Sequence, residues 1–284
     1  MYLCCLLLCS IIEIYYTCED YQMTIRIESS SNPLCKHVKK LHSRSGRTKS
    51  GQYIAEGVRA VGDAIANGAD VECVLVCEGS DFSLDFGSLR VYELKACLFD
   101  ELKLTVNSQG ILAIINYSLL SASELESDSV QTVVYLDSVT DPGNMGTIIR
   151  SCDALGADAI ILSKGCVDIF NPKVVRSTMA SLLSVPIYTD DDPEATLSTL
   201  ASGGFCIAGT FPKDAEPCFE RDYSGKMVLV MGNEANGIRP EIAALCTQRL
   251  TIPMLGRAES LNVATALTVM LYEIMRSKII RGDT

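Results

Sequence analysis

Along residues 33 to 117 the apolar positions switch repeatedly between two periods. A spacing of three or four marks helix, and alternation or a short unbroken run marks strand. The pattern predicts a helix from 33 to 43, a strand near "YIAEG", a helix from Val58 to Asn67 and a strand "VECVLV" from 71 to 76. After a turn over 78 to 87 it predicts a strand near "RVYEL", a short helix from 95 to 101 and a closing strand "GILAIINY". Residues 33 to 117 therefore read as one small α/β unit. The following "SLLSASELESDSVQ", residues 118 to 131, is rich in serine and acid and reads as a linker.

A second series starts at residue 132 with "TVVYLD", a β-branched run of the kind buried in parallel sheets. It continues as a helix over 142 to 155, strand "DAIILS", a helix near 172 to 183, strand "VPIY" and a helix from 193 to 201. Strands "FCIAGT", "MVLVMG" and "LTIP" follow, and a last helix runs from Ser260 to Ser277. Alternating strands and helices predict a mostly parallel sheet covered on both faces, with chemistry at the carboxyl ends of its strands. The fold class is α/β, a small domain followed by a larger one over 132 to 284.

Composition narrows the picture. With 48% apolar and 21% charged residues the chain folds, and a net charge of −11 argues against indiscriminate coating of nucleic acid. One stretch is an exception: Lys36, Lys39, Lys40, Arg44, Arg47 and Lys49 lie between Glu28 and Glu56 with no acid among them. They form either a solvated helix face or a patch that meets phosphates. The 13 cysteines are odd in number and contain no CxxC pair, so they read as buried small hydrophobes in a reducing cytoplasm. The opening "MYLCCLLLCSII" stops at Glu13, short of the roughly 20 residues that cross a bilayer. Met23 opens a more ordinary sequence and is the expected true start, so residues 1 to 22 are expected to be disordered or an artefact of start-site choice, within an amino-terminal extension over residues 1 to 32.

Three strand ends carry candidate chemistry. In "DPGNMGTIIRSCDALG" Asp141 is a natural N-cap and Pro142 suits the first helical position. Met145, Ile148, Ile149, Cys152 and Leu155 share one core-facing arc, and the wheel places Asn144 and Arg150 off it, looking outward together. A plain surface helix is the competing reading. In "MVLVMGNEANGIRP" a buried strand runs into Gly232, Asn233, Glu234 and Gly237, whose glycines let backbone approach a ligand closely. Ile238 and Arg239 stand where a phosphate-binding P-loop needs Lys and Ser or Thr, and no GxGxxG is present. In "LTIPMLGRAESLNVATAL" Ser260 is the expected N-cap of the final helix, with Asn262 in its first turn. The two histidines, His37 and His42, both lie in the basic stretch, so a histidine triad or a histidine metal site is excluded from the second domain and no metal is expected.

These three segments, in this order across 132 to 277, resemble the SpoU (TrmH-type) branch of the SPOUT RNA methyltransferases, and "NPKVVRSTMASLLSVPIY" resembles it too. Ala264 departs from the family, where many members carry a second serine. The resemblance implies an S-adenosylmethionine-dependent 2′-O-methyltransferase of RNA ribose, a catalytic domain tied in a trefoil knot, and a homodimer. It implies a catalytic pocket of Asn144, Arg150, Glu234, Ser260 and Asn262, and a cofactor site at Thr210, Gly232, Asn233, Ile252 and Leu261. The amino-terminal unit resembles the RNA-binding domain of longer members, related to small ribosomal proteins, so ribosomal RNA is the first expected substrate. A tRNA substrate and a non-catalytic RNA-binding or ribosome-assembly factor are the alternatives, and a nucleotide-binding oxidoreductase fits the glycines badly.

Overall fold

The structure, a computed structural model, describes residues 24–282 apart from 127, 179 and 180. Expectations for residues 1–23 lie outside the described residues. The first half contains β1 (Thr24–Ile27), α1 (Pro33–Leu41), α2 (Arg44–Ser50), β2 (Gln52–Glu56), α3 (Val58–Ala66), β3 (Val71–Cys77), β4 (Val91–Leu94), α4 (Ala96–Leu102) and β5 (Ile111–Asn116). Its strands form a mixed sheet in the order β1-β4-β3-β5-β2. Two features differ from expectation. Thr24–Ile27, within the stretch expected to be an extension, pairs in parallel with β4 as an edge strand. The helix expected over 33 to 43 ends at Leu41, and a second helix that the pattern did not predict follows it, started by the Ser43 side chain accepting the Gly46 amide.

The second half contains β6 (Leu120–Ser121), β7 (Thr132–Leu136), α5 (Pro142–Leu155), β8 (Ala159–Ser163), α6 (Pro172–Thr178), β9 (Ile187–Asp190), α7 (Pro193–Ser202) and β10 (Cys206–Thr210). It continues with β11 (Glu216–Pro217), β12 (Met227–Met231), α8 (Pro240–Ala243), β13 (Gln248–Thr251) and α9 (Val263–Arg281). The strands pair in parallel throughout, in the order β11-β13-β10-β12-β7-β8-β9-β6. Strands β7, β8 and β12 are buried along their whole length, which explains their unbroken apolar runs. The stretch expected to be a linker contributes β6, which pairs with β9.

Helix α5 begins and ends where its sequence dictates. The Asp141 side chain accepts the Asn144 amide at 2.8 Å, Pro142 occupies the first position, and Gly156 closes the helix with φ of 74°. Inside the helix Gly146 is required by its neighbour, since a Cβ there would stand 1.8 Å from Ser177 Oγ of α6. Helix α9 starts later than expected. Asn262, not Ser260, is its N-cap, its Oδ1 accepting the amides of Ala264 and Thr265.

The two halves are packed together. Phe170 stacks on Tyr117 with centroids 3.6 Å apart and lies 4.9 Å from Tyr53, so a segment between β8 and α6 grips the first sheet. Beside it Arg47 is 3% exposed and places its Nη2 2.6 Å from Asp168 Oδ2, while its Nη1 donates to the carbonyls of Leu41 and His42. Among the described residues no helix is long and apolar enough to cross a membrane.

Candidate functional site

Four adjacent strands deliver their carboxyl ends to one crevice. Strand β7 leads to Asn144, β10 to Thr210 and Phe211, β12 to the turn Gly232–Gly237, and β13 to the segment that ends at Asn262. The crevice encloses about 500 Å3, within the roughly 300–1,000 Å3 typical of small-molecule sites. Its apolar walls include Met231, Leu250, Ile252, Met254, Val263 and Met270.

The glycine turn is shaped by its own backbone. Asn233 and Gly237 exchange both backbone hydrogen bonds at 2.9 Å, and Gly237 has φ of 69°. A Cβ on Gly232 would lie 2.2 Å from Gly237 C and from Ile238 N, so no side chain fits. The Asn233 side chain is used inside the turn: Oδ1 accepts the amides of Ala235 and Asn236, and Nδ2 donates to Ser138 O at 2.8 Å. Arg239 braces the turn from below, its Nε 2.7 Å from Asp137 Oδ1 and its amide 2.8 Å from Asp137 Oδ2, with Asp137 fully buried at the end of β7.

Glu234 then faces the start of α5. Its Oε1 accepts the Asp141 amide at 3.1 Å and Asn144 Nδ2 at 3.0 Å, and its Oε2 accepts the Thr140 amide at 3.3 Å. Partial burial pushes its carboxyl up, but the hydrogen bonds from Asn144 and the backbone outweigh it, and the group sits below the ordinary carboxylate value. The chain of contacts continues as Asn262 Nδ2 donates to Asn144 Oδ1 at 2.8 Å. An ionised Glu234 accepts only, and the first amides of α9 donate only, so both asparagine amides are oriented without ambiguity.

Most expected site residues converge here: Asn144, Glu234, Ser260 and Asn262 line the crevice, as do Thr210, Gly232, Asn233, Ile252 and Leu261. Arg150 does not. It is exposed and outside the crevice lining, and its side chain makes no hydrogen bond or ion pair to any described residue. Six residues separate it from Asn144, about 9 Å along the helix and about 120° around it, so one chain does not bring the two together. Thr210 Oγ1 donates to Val230 O at 3.1 Å.

Among the lining residues that the sequence reading did not single out, two add chemistry. Glu259 adds a second acid, and Phe211 is held by Arg249, whose guanidinium lies 3.6 Å from the ring centroid. Gly209 and Arg249 are register partners on β10 and β13, a cross-strand relation that sequence spacing does not reveal.

The basic stretch is divided. Lys36, Lys39, Lys40, Arg44 and Lys49 are exposed on α1 and α2, with Lys39 Nζ 2.6 Å from Glu101. Lys40 and Lys49 border a concavity of about 470 Å3 with Ser43 and His37. Arg47, expected to meet phosphate, is instead the buried partner of Asp168.

Comparison with known proteins agrees with this geometry. Residues 131–272 match the SpoU rRNA Methylase family, and residues 32–113 match the MRM3-like substrate binding domain. The 23S rRNA (guanosine(2553)-2′-O)-methyltransferase RlmP of Bacillus subtilis is 32% identical over 88% of this chain and 98% of its own. The SpoU methyltransferase AviRb of Streptomyces viridochromogenes, solved with AdoMet, superposes with TM-score 0.77 at 27% identity, covering 88% of this chain and 100% of that one. An AdoMet-bound rRNA methyltransferase from Sinorhizobium meliloti gives TM-score 0.78 at 28% identity, over 89% and 98%. With half its length matched to the family and a relative of 32% identity spanning most of both chains, the chain belongs to the SpoU rRNA methylase family.

Proposed function

We propose that this chain methylates a ribose 2′-hydroxyl in ribosomal RNA, with S-adenosylmethionine as donor. The observation that carries the proposal is the crevice itself, where loops from four neighbouring strands meet around the line Glu234, Asn144, Asn262. The crevice suits the donor in shape and charge: apolar walls accept an adenine, Gly232 brings backbone close, and the ionised Glu234 favours a cationic ligand. When bound, the donor supplies an electrophilic methyl group that needs no metal.

The chain's own task is positioning, which supplies a large part of the rate when reacting atoms are held in line. Asn144 and Asn262, oriented by Glu234 and by the start of α9, hold the ribose side of the crevice. Thr210, Gly232, Ile252 and Leu261 hold the donor, with Asn233 shaping the turn. A guanidinium donates hydrogen bonds and accepts none, so the part of Arg150 is to fix a phosphate beside the target ribose. Since it stands outside its own crevice, a homodimer in which Arg150 serves the neighbouring copy completes the site, and Tyr272, Ile279 and Ile280, exposed on α9, offer apolar surface for that contact. The exposed lysines of α1 and α2 attract the RNA backbone, and a reducing cytoplasm is the setting.

Incubation with ribosomal RNA, with tRNA and with tritiated S-adenosylmethionine tests this. The expected result is label in ribosomal RNA at a position that becomes resistant to alkali. Label confined to tRNA refutes the substrate, and label in neither refutes the activity.

A further inference from the structure

A larger cavity, about 730 Å3, lies at the seam between the two halves and shares no residue with the crevice. Arg59 and Asp63 of α3, Val106 and Asn107 of the loop before β5, and Val175 and Arg176 of α6 all line it.

The loop is anchored, yet it presents an aliphatic side chain to water. Glu56 accepts the Leu104 amide at 2.8 Å and Thr105 Oγ1 at 2.6 Å, which fixes the loop and uses one of the cavity's two carboxylates internally. Val106 at its tip is 88% exposed. Arg59 is 71% exposed, with Asp63 3.6 Å away at the loose limit of an ion pair. Arg176 lines the same cavity, exposed, its side chain without a hydrogen bond or ion pair to any described residue. Two guanidiniums and an exposed aliphatic side chain on one cavity suit a ligand with an anionic link and a flat apolar face, which describes a nucleotide. Arg59 lies within residues matched to a substrate-binding domain and Arg176 within the methylase match, so an occupant of the cavity borders both.

We propose that this cavity seats one unpaired nucleotide of the RNA substrate, its phosphate between Arg59 and Arg176 and its base on Val106. The proposal rests on the RNA methyltransferase reading above. It names where the substrate is gripped apart from the methyl-transfer crevice. Unpaired nucleotides are the parts of folded RNA whose bases are open to such contact.

The test uses the full chain and a fluorescent single-stranded RNA containing 4-thiouridine, followed by anisotropy and by photo-crosslinking. Val106→Asp with Arg176→Glu is expected to weaken RNA binding by roughly tenfold or more and to flatten its salt dependence. Both side chains are exposed, so the melting temperature and S-adenosylmethionine affinity should stay at wild-type values. Crosslinks in the wild type should fall on the peptide containing Val106 and Asn107. Unchanged affinity with crosslinks confined to residues 36–49 overturns the proposal, and so does saturation of the cavity by uridine monophosphate as tightly as by the RNA. Failure of the underlying methyltransferase reading shows separately, as loss of S-adenosylmethionine binding in the wild type.

Discussion

Asn262 Nδ2 donates to Asn144 Oδ1 at 2.8 Å, joining the first turns of α9 and α5 across 118 positions of sequence. The same Asn262 caps α9 through its Oδ1, so one side chain both starts a helix and orients the amide that faces Glu234. Asn262→Asp separates the two tasks, since a carboxylate still caps but no longer donates. Methyl transfer should fall by about tenfold or more, as for a hydrogen bond lost at a polar partner. Asn262→Ala should lose the same activity and, in addition, about 1 kcal/mol of stability in denaturant titration.

Arg47 and Lys40 stand in one basic stretch but answer to different physics. Removing Arg47 leaves the 14%-exposed Asp168 side chain without its cation, and Arg47→Met should destabilise the fold by about 3–5 kcal/mol. Lys40 is exposed, and Lys40→Ala should change stability by no more than about 0.5 kcal/mol while weakening RNA binding. Denaturation midpoints and RNA titrations on both variants separate the roles.

The lowered pKa of Glu234 fixes the direction of a pH effect. Because its folded value lies below the ordinary 4.5, its contribution is fully present above that value and is lost as pH falls through the folded value. S-Adenosylmethionine affinity should therefore be level from neutral pH down to the ordinary carboxylate range and then fall. Glu234→Gln should bind more weakly at neutral pH and lose this acid limb. A variant that keeps the same acid profile contradicts the assignment.

Arg150→Ala should abolish methyl transfer while S-adenosylmethionine binding persists. Mixed with Gly232→Ala, which spoils the crevice but keeps Arg150, it should recover about a quarter of wild-type activity through mixed dimers. No recovery on mixing argues that Arg150 does not serve a neighbouring copy.

How far the sequence disclosed this molecule depended on whether each decision was local. The bounds of α5 were legible because Asp141, Pro142 and Gly156 settle them within the helix itself. The start of α9 was not, because Ser260 and Asn262 are both good caps two residues apart, and the choice falls to Asn144 on a distant segment. Arg47 looked like its neighbours because its partner Asp168 lies 121 positions away. Arg150 was placed beside Asn144 although a six-residue step already implied about 120° between them. The two-residue strand β6 owes its existence to pairing with β9 and carries no pattern of its own.

Titration of S-adenosylmethionine into the purified chain, with heat as the readout, tests the central claim most directly. Saturable binding of one donor per chain is predicted, together with its loss in Gly232→Ala, where a Cβ would stand 2.2 Å from the backbone of the same turn. Absence of binding in the wild type, or undiminished binding in Gly232→Ala, would contradict the account.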